Sequence, residues 1–279
     1  MHTQSEKGRL FREFHHGTSA FIIPNPWDAG TARMLVNMGF QVLATTSAGY
    51  AFSMGKPDGA VGRDAMLAHV SAVASAVEVP VSADLENGYG DAPEAAADCI
   101  RLASDAGAVG GSIEDATGRA EKPIYDKEYA ADRIRAAAEA AHGLLYPFTL
   151  TARAENYLHG RPDLQDTIER LQAYQEAGAD VLYAPGLRSR EDIRAVVRSV
   201  DRPVNVLMGM AGVDLDLAAL SELGVRRVSV GSALSRVALD AFIKAAREMW
   251  SLGTFRFADS AVGYAELNAE FGRDESKLK

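Results

Sequence analysis

Eight times along this chain a short apolar run gives way to a helical pattern, and that beat constrains the fold more than any other feature. The runs span 20–24, 41–45, 81–83, 110–113, 148–153, 180–184, 203–206 and 227–230. Helical periodicity follows each of them, at 29–38, 63–77, 92–106, 127–141, 163–177, 190–200, 215–223 and in a long segment to Trp250. Short runs of this kind read as buried strands, and strands joined through helices pair in parallel. Three runs are announced by a helix-ending glycine, at Gly107, Gly178 and Gly224, the residue best suited to leave a helix in a left-handed turn. Eight units in 279 residues match a closed barrel of about 250 residues better than an open sheet. The expected fold is therefore α/β, a (β/α)8 TIM-type barrel. With no composition break or linker, residues 1–279 read as one domain. An N-terminal helix is expected near 4–15 and a helical tail near 255–279, with its helix at about 260–271. A helix beyond the eighth unit must pack on its own barrel or on a neighbour.

Composition narrows the function classes. Twenty-nine basic against 38 acidic residues leave a net charge of −9, which speaks against an extended phosphate-binding surface. Cys99 is the only cysteine, so there is no internal disulfide and no cysteine metal site. It lies among Ala96, Ala97 and Ile100 and reads as a core residue. The start lacks an apolar signal core, and no apolar run of about 18 residues could span a bilayer. A soluble, cytoplasmic protein is expected.

In this architecture chemistry collects at the carboxyl ends of the strands. Those ends carry Asn25 and Asp28, Ser47-Ala48-Gly49, Asp84 and Glu86, Glu114, Arg153, Tyr183, and Asn205. Asp84 and Glu86 are two apart, so both project to one side just past the strand. A lone acidic turn would be an ordinary solvated loop. Three acids and an arginine at independent strand ends are not, because solvated charge belongs on the outer helices. Hard oxygen ligands suit Mg²⁺, with Mn²⁺ as the alternative. Arg153 offers a bidentate fork to a carboxylate or phosphonate, and the backbone N–H groups of Ser47, Ala48 and Gly49 can face an anion. The site suits a small dianionic oxo-acid. Tyr50 and Tyr89 face the same mouth and could each donate a phenolic proton; His159, after the Arg153 strand, is a further candidate acid. His15 and His16 read as surface or interface residues, His69 as a packing residue, and Lys122 as a solvated loop charge.

Taken together, Thr45-Thr-Ser-Ala-Gly-Tyr50, Gly55-Lys-Pro-Asp-Gly59, Ala83-Asp-Leu-Glu-Asn-Gly-Tyr-Gly90, Ser112-Ile-Glu-Asp115 and Thr151-Ala-Arg153 resemble the isocitrate lyase / phosphoenolpyruvate mutase superfamily along nearly the whole chain. The resemblance implies a (β/α)8 barrel with Mg²⁺ held around Asp84, Glu86 and Glu114, mostly through waters. It implies that Ser47, Ala48 and Gly49 cradle a substrate carboxylate, that Arg153 binds the other end, and that Asp58 sits beside the reacting centre. It also implies a homo-oligomer, dimer or tetramer, in which a C-terminal helix is exchanged between subunits.

Two departures reshape that expectation. Lyases of the superfamily carry a Lys-Lys-Cys-Gly-His type loop after the fourth strand; here the loop is Ala116-Thr-Gly-Arg-Ala-Glu-Lys-Pro123, without cysteine or histidine. The mutases' Asn-Ser pair is missing too, and Ala184-Pro-Gly186 replaces a Pro-Glu pair. The expected activity is a Mg²⁺-dependent carbon–carbon lyase, of decarboxylase or retro-aldol type. It would act on a small 2-oxo or 2-hydroxy di- or tricarboxylate through a pyruvate-enolate-like intermediate, with Asp58, Arg153 and Tyr50 as catalytic groups. Ser47, Ala48, Gly49, Asp84, Arg153, Asn205 and His159 would bind the substrate. The alternatives are a C–P bond enzyme of mutase or phosphonopyruvate hydrolase type, and an oxo-acid-binding barrel that has lost catalysis. A Schiff-base aldolase is disfavoured, because no strand ends in lysine.

Overall fold

The computed structural model describes residues 2–272. Its strands are β1 (Phe21–Ile23), β2 (Leu43–Ala44), β3 (Val81–Asp84), β4 (Gly110–Glu114), β5 (Thr149–Arg153), β6 (Val181–Tyr183), β7 (Val204–Leu207) and β8 (Arg227–Ser229). They pair in the order β1-β8-β7-β6-β5-β4-β3-β2, every ladder parallel. The seam between β2 and β1 is bridged where Ala44 N–H donates to the Pro24 carbonyl at 3.1 Å. The ring is thus a nearly closed (β/α)8 barrel, as the eightfold beat predicts.

The helices are α1 (Gln4–His16), α2 (Ala29–Asn37), α3 (Ser47–Ser53), α4 (Arg63–Ser75), α5 (Pro93–Asp105), α6 (Lys127–His142), α7 (Leu164–Glu176), α8 (Arg190–Arg198), α9 (Leu217–Glu222), α10 (Ala233–Leu252) and α11 (Tyr264–Phe271). Local chemistry sets their ends. Asp28 caps α2 by accepting Thr31 N–H at 2.7 Å, while Thr31 Oγ1 accepts Asp28 N–H, a reciprocal capping arrangement. Gly107, Gly178 and Gly224 leave α5, α7 and α9 at φ of +100°, +104° and +88°, so the sequence punctuation is physical. Helix α3 was not expected, since 46–50 read as a strand end. It forms because Thr46 Oγ1 accepts Gly49 N–H at 3.2 Å.

The apolar core lies between strands and outer helices, where Ile113, Leu150, Leu182 and Val206 meet Ile100, Ile134, Leu171 and Ile193. Cys99 belongs to this layer, its thiol pushed up to about 12 by burial, in line with the core reading. Inside the barrel the layer is polar instead: Ser82, Ser112, Thr151, Asn205, Arg227 and Ser229 are all buried.

Helix α1 lies under the barrel, with Phe11 fully buried. The expectation of a surface His15 is corrected here. Its ring packs edge-on against Phe11 and Phe21, at 4.7 and 5.1 Å between centroids, and is buried. The helix is amphipathic with positions 11 and 15 on one face, so His15 follows Phe11 inward. At the other end, α11 rests on α2 of its own chain, where Asn37 Nδ2 donates to the Glu270 carbonyl at 3.3 Å. Residues 273–279 of the expected tail lie outside the described residues. Among the described residues no helix is long and apolar enough to cross a membrane.

Candidate active site

Arg153 is the last residue of β5, and its side chain is only 14% exposed. Its Nη1 donates to Asp84 Oδ1 at 2.9 Å. Its Nη2 lies 3.1 Å from Glu114 Oε2 and 2.7 Å from Glu155 Oε1, and its Nε donates to the same Glu155 oxygen at 2.9 Å. Strand register makes this possible: Glu114 stands directly beside Arg153 on the neighbouring strand. The guanidinium also lies 5.2 Å over the Tyr183 ring. Burial opposes its charge, but Glu155, Glu114 and Asp84 outweigh burial and hold its pKa well above the ordinary value.

The acids outnumber that one guanidinium. Burial pushes Glu114 up despite Arg153. Glu86 is pushed up to about 7, first by burial and then by the Asp84 and Asp58 charges. Its backbone sits at φ +48°, a left-handed conformation that non-glycine residues adopt at a cost. The turn is held there because the Glu86 carbonyl accepts Glu114 N–H at 2.9 Å. Gly88 follows at φ +80°, where a Cβ would lie 2.9 Å from Ala96 Cα, so both conformation and space demand glycine. The Tyr89 phenol is buried in this turn without a hydrogen-bond partner.

The second wall comes from β2 and α3. Ser47 N–H donates to Asp84 Oδ2 at 2.9 Å, and Ser47 Oγ donates to Asp58 Oδ1 at 3.3 Å. Gly59 N–H donates to the same Asp58 oxygen at 3.1 Å. Asp58 thus turns its carboxyl end into the mouth from an exposed loop, and partial burial with the Asp84 charge raises its pKa. Of the three N–H groups expected to face an anion, that of Ser47 is engaged by Asp84 and that of Gly49 by Thr46 Oγ1.

These groups line two connected cavities. The outer mouth, about 1120 Å³, is bordered by Asp58, Glu86, Glu114, Arg153, Glu155 and His159. The inner one, about 160 Å³, runs into the barrel past Ala48, Asp84, Tyr183, Asn205 and Arg227. Ser47, Asp58 and Arg153 line both. Asp84, Glu86, Glu114, Arg153, Ser47 and Asp58 therefore converge, with Ala48 and Asn205 deeper and His159 at the rim. Tyr50 borders neither cavity. It stacks on His69 at 4.0 Å and 8°, which makes His69 the packing residue its sequence position suggested. Lys122 pairs with Asp126 at 2.5 Å. Loop 116–123 is tied down by Arg119 to Asp91 at 2.7 Å and by an antiparallel bridge between Ala116 and Ile124.

Sequence reasoning missed Glu155 and Arg227. Glu155 had a signal, because it lies two residues beyond Arg153 and so shares its side of the chain. The donor set is all hard oxygen. Among the described residues no three His, Cys, Asp or Glu groups stand close enough to ligate one ion directly. Glu86, free of any ion pair among the described residues, faces Asp84 and Glu114 across this surplus of charge. By donor chemistry this all-carboxylate set matches the hard-oxygen preference of a cation such as Mg²⁺.

The sequence model of the phosphoenolpyruvate phosphomutase family matches residues 11–250. A Burkholderia cenocepacia crystal structure, described as a lyase/mutase, is 59% identical, with a TM-score of 0.94 and 97% of each chain covered. An uncharacterised Mycobacterium tuberculosis protein is 36% identical over 261 residues, covering 93% of this chain and 95% of that one. The crystal structure of 2,3-dimethylmalate lyase is 27% identical, with a TM-score of 0.85 and coverage of 97% and 96%. More distant relatives carry the names 2-methylisocitrate lyase and oxaloacetate decarboxylase. The barrel of a phosphonopyruvate hydrolase complexed with oxalate and Mg²⁺ shares the fold at 24% identity.

Proposed function

The chain belongs to the phosphoenolpyruvate phosphomutase family, within the isocitrate lyase / phosphoenolpyruvate mutase superfamily, whose members include the carbon–carbon lyases 2-methylisocitrate lyase and 2,3-dimethylmalate lyase. From that premise we propose that it cleaves a carbon–carbon bond of a small 2-oxo or 2-hydroxy di- or tricarboxylate through a pyruvate-enolate-like intermediate. Decarboxylation of a β-oxo acid such as oxaloacetate is the simplest case. It breaks C3–C4, leaves the electron pair as an enolate over C2–C3, releases CO₂ and then takes a proton at C3. That step needs an electron sink and no loop cysteine.

The observation that carries this reading is the acid surplus around one arginine. Asp84, Glu114 and Glu155 all contact Arg153, while Glu86 is left with a raised pKa. A site so rich in carboxylates calls for added positive charge. A bound Mg²⁺ would supply Lewis-acid stabilisation of a developing enolate oxygen, held around Asp84, Glu86 and Glu114. Arg153 orients a substrate carboxylate, with Glu155 and Glu114 fixing its fork. Ser47, Ala48 and Gly49 receive the second carboxylate once Asp84 yields the Ser47 N–H and Thr46 Oγ1 yields that of Gly49. Asp58, hydrogen-bonded to Ser47 and poised over the mouth, handles the proton at the carbanion carbon. His159, at the rim of the mouth, contacts the substrate from the outer side.

C–P bond chemistry, of mutase or phosphonopyruvate hydrolase type, is the second reading, favoured by the family match itself; loop 116–123 without an Asn-Ser pair weighs against the mutase. A barrel that binds oxo-acids without turnover is the third. The deciding assay follows products by proton and phosphorus NMR, with and without Mg²⁺: pyruvate from oxaloacetate and 2-methylisocitrate, glyoxylate from isocitrate, and pyruvate or phosphoenolpyruvate from phosphonopyruvate. Metal-dependent turnover of a carbon–carbon substrate, lost in Arg153→Ala, supports the lyase. Turnover of phosphonopyruvate alone selects the second reading. Silence across the panel removes both.

A further inference from the structure

Below Arg153 the barrel holds a second guanidinium with no acid to match it. Arg227 opens β8, faces the interior and is 5% exposed. Its Nε donates to Asn205 Oδ1 and its Nη2 to Thr151 Oγ1, each at 3.0 Å. Its Nη1 is buried and has no hydrogen-bond partner. No carboxylate pairs with it among the described residues, because Arg153 already gathers Asp84, Glu114 and Glu155. A guanidinium cannot shed its charge in the way a buried lysine can, and an unpaired buried charge is costly. Thr151 lies two residues below Arg153 on β5, so the two guanidiniums occupy successive side-chain layers. They repel: burial, and then Arg153, lower the Arg227 pKa to about 10. The inner cavity of about 160 Å³ reaches this point, lined also by Asn205, Tyr183 and Ser229. At about 30 Å³ per water it has room for a carboxylate-sized group and some solvent.

We propose that Arg227, with Asn205, Tyr183 and Ser229, forms an anion subsite in the barrel interior beneath Arg153, which takes one small monoanionic head group. Two sources share that chemistry: the distal carboxylate of a dicarboxylate held in the mouth, and a free inorganic anion such as chloride. The subsite is defined by the unmatched guanidinium and holds whichever bond the enzyme breaks.

The test compares the full-length protein with Arg227→Met by thermal shift and calorimetry, using sodium chloride, oxalate and malate as probes in the presence of Mg²⁺. If the subsite takes the distal carboxylate, Arg227→Met weakens malate by about tenfold or more and leaves oxalate, too short to reach it, within about twofold. If it takes a free anion, chloride raises the wild-type melting temperature saturably and this rise vanishes in the variant. Equal response of both proteins to all three probes overturns the proposal, leaving a guanidinium solvated by buried water. Should Arg227→Met fail to fold, wild-type crystals grown in bromide decide for the free anion and crystals with malate for the carboxylate. Density for either anion at Arg227 Nη1 supports the subsite, and neither one there overturns it.

Discussion

Tyr50 and His69 lie face to face beside the mouth, and the pair shows how one buried ring makes stability depend on pH. Burial, against an opposing pull from Asp28, lowers the His69 pKa from 6.5 to about 4. Between those values the unfolded chain binds a proton that the folded chain refuses. Its contribution is therefore intact above pH 6.5 and is lost as pH falls towards 4. His15, lowered to about 3 chiefly by burial, adds the same sign over a wider window. His69→Phe keeps the stack on Tyr50 and removes the titration. Melting temperatures measured from pH 7 to 4.5 should fall less steeply in the variant, and parallel curves would refute the assignment. Glu86 shows the opposite trade, between stability and activity. Its φ of +48° costs about 1–3 kcal/mol in a non-glycine residue, and its charge is crowded by Asp84 and Asp58. Asparagine tolerates that conformation better. Without divalent metal, Glu86→Asn should raise the unfolding free energy by about 1 kcal/mol in urea, while metal-dependent turnover collapses. A destabilised variant would mean that neighbouring groups already satisfy the glutamate.

Among the elements, α1 tests whether helix propensity or packing wins. Gly8 sits mid-helix, where alanine is favoured by about 1 kcal/mol. A Cβ there would lie 2.2 Å from the Pro147 carbonyl oxygen, and a backbone atom cannot step aside cheaply. Overpacking of this kind costs about 1–3 kcal/mol, so Gly8→Ala should destabilise despite the better propensity, read as an earlier midpoint in denaturant. A stabilised variant would show that α1 is docked loosely. Elements of this size were largely legible in the sequence, because Asp28 at the start of α2 and Gly107, Gly178 and Gly224 after helices act through their own local backbone chemistry. Helix α3 was not legible. Its seven residues are too few for an apolar period to show, and Tyr50 and Ala51 find their partners Val61 and Met66 only in the folded chain.

At the scale of the whole molecule, α10 and the tail leave large apolar side chains in solvent: Phe242, Trp250, Leu252, Phe255 and Tyr264. Large apolar side chains left in solvent mark a candidate association surface, and the family resemblance implies a homo-oligomer. Light scattering after gel filtration should give a dimer or tetramer, and Phe242→Glu with Trp250→Glu should shift it towards monomer. A wild-type monomer at micromolar concentration would sink this expectation. The sequence alone determined the eightfold strand–helix order, the nearly closed barrel, and the acids and arginine at its strand ends. These follow from periodicity and backbone preference, which act within a few residues. Tertiary structure alone decided that one guanidinium would gather Asp84, Glu114 and Glu155, that Arg227 would face the interior without an acid, and that His15 would be buried. The reason is distance along the chain: Arg153 and Asp84 are 69 positions apart, and a charge's partner is chosen by register across the barrel, which no local pattern encodes.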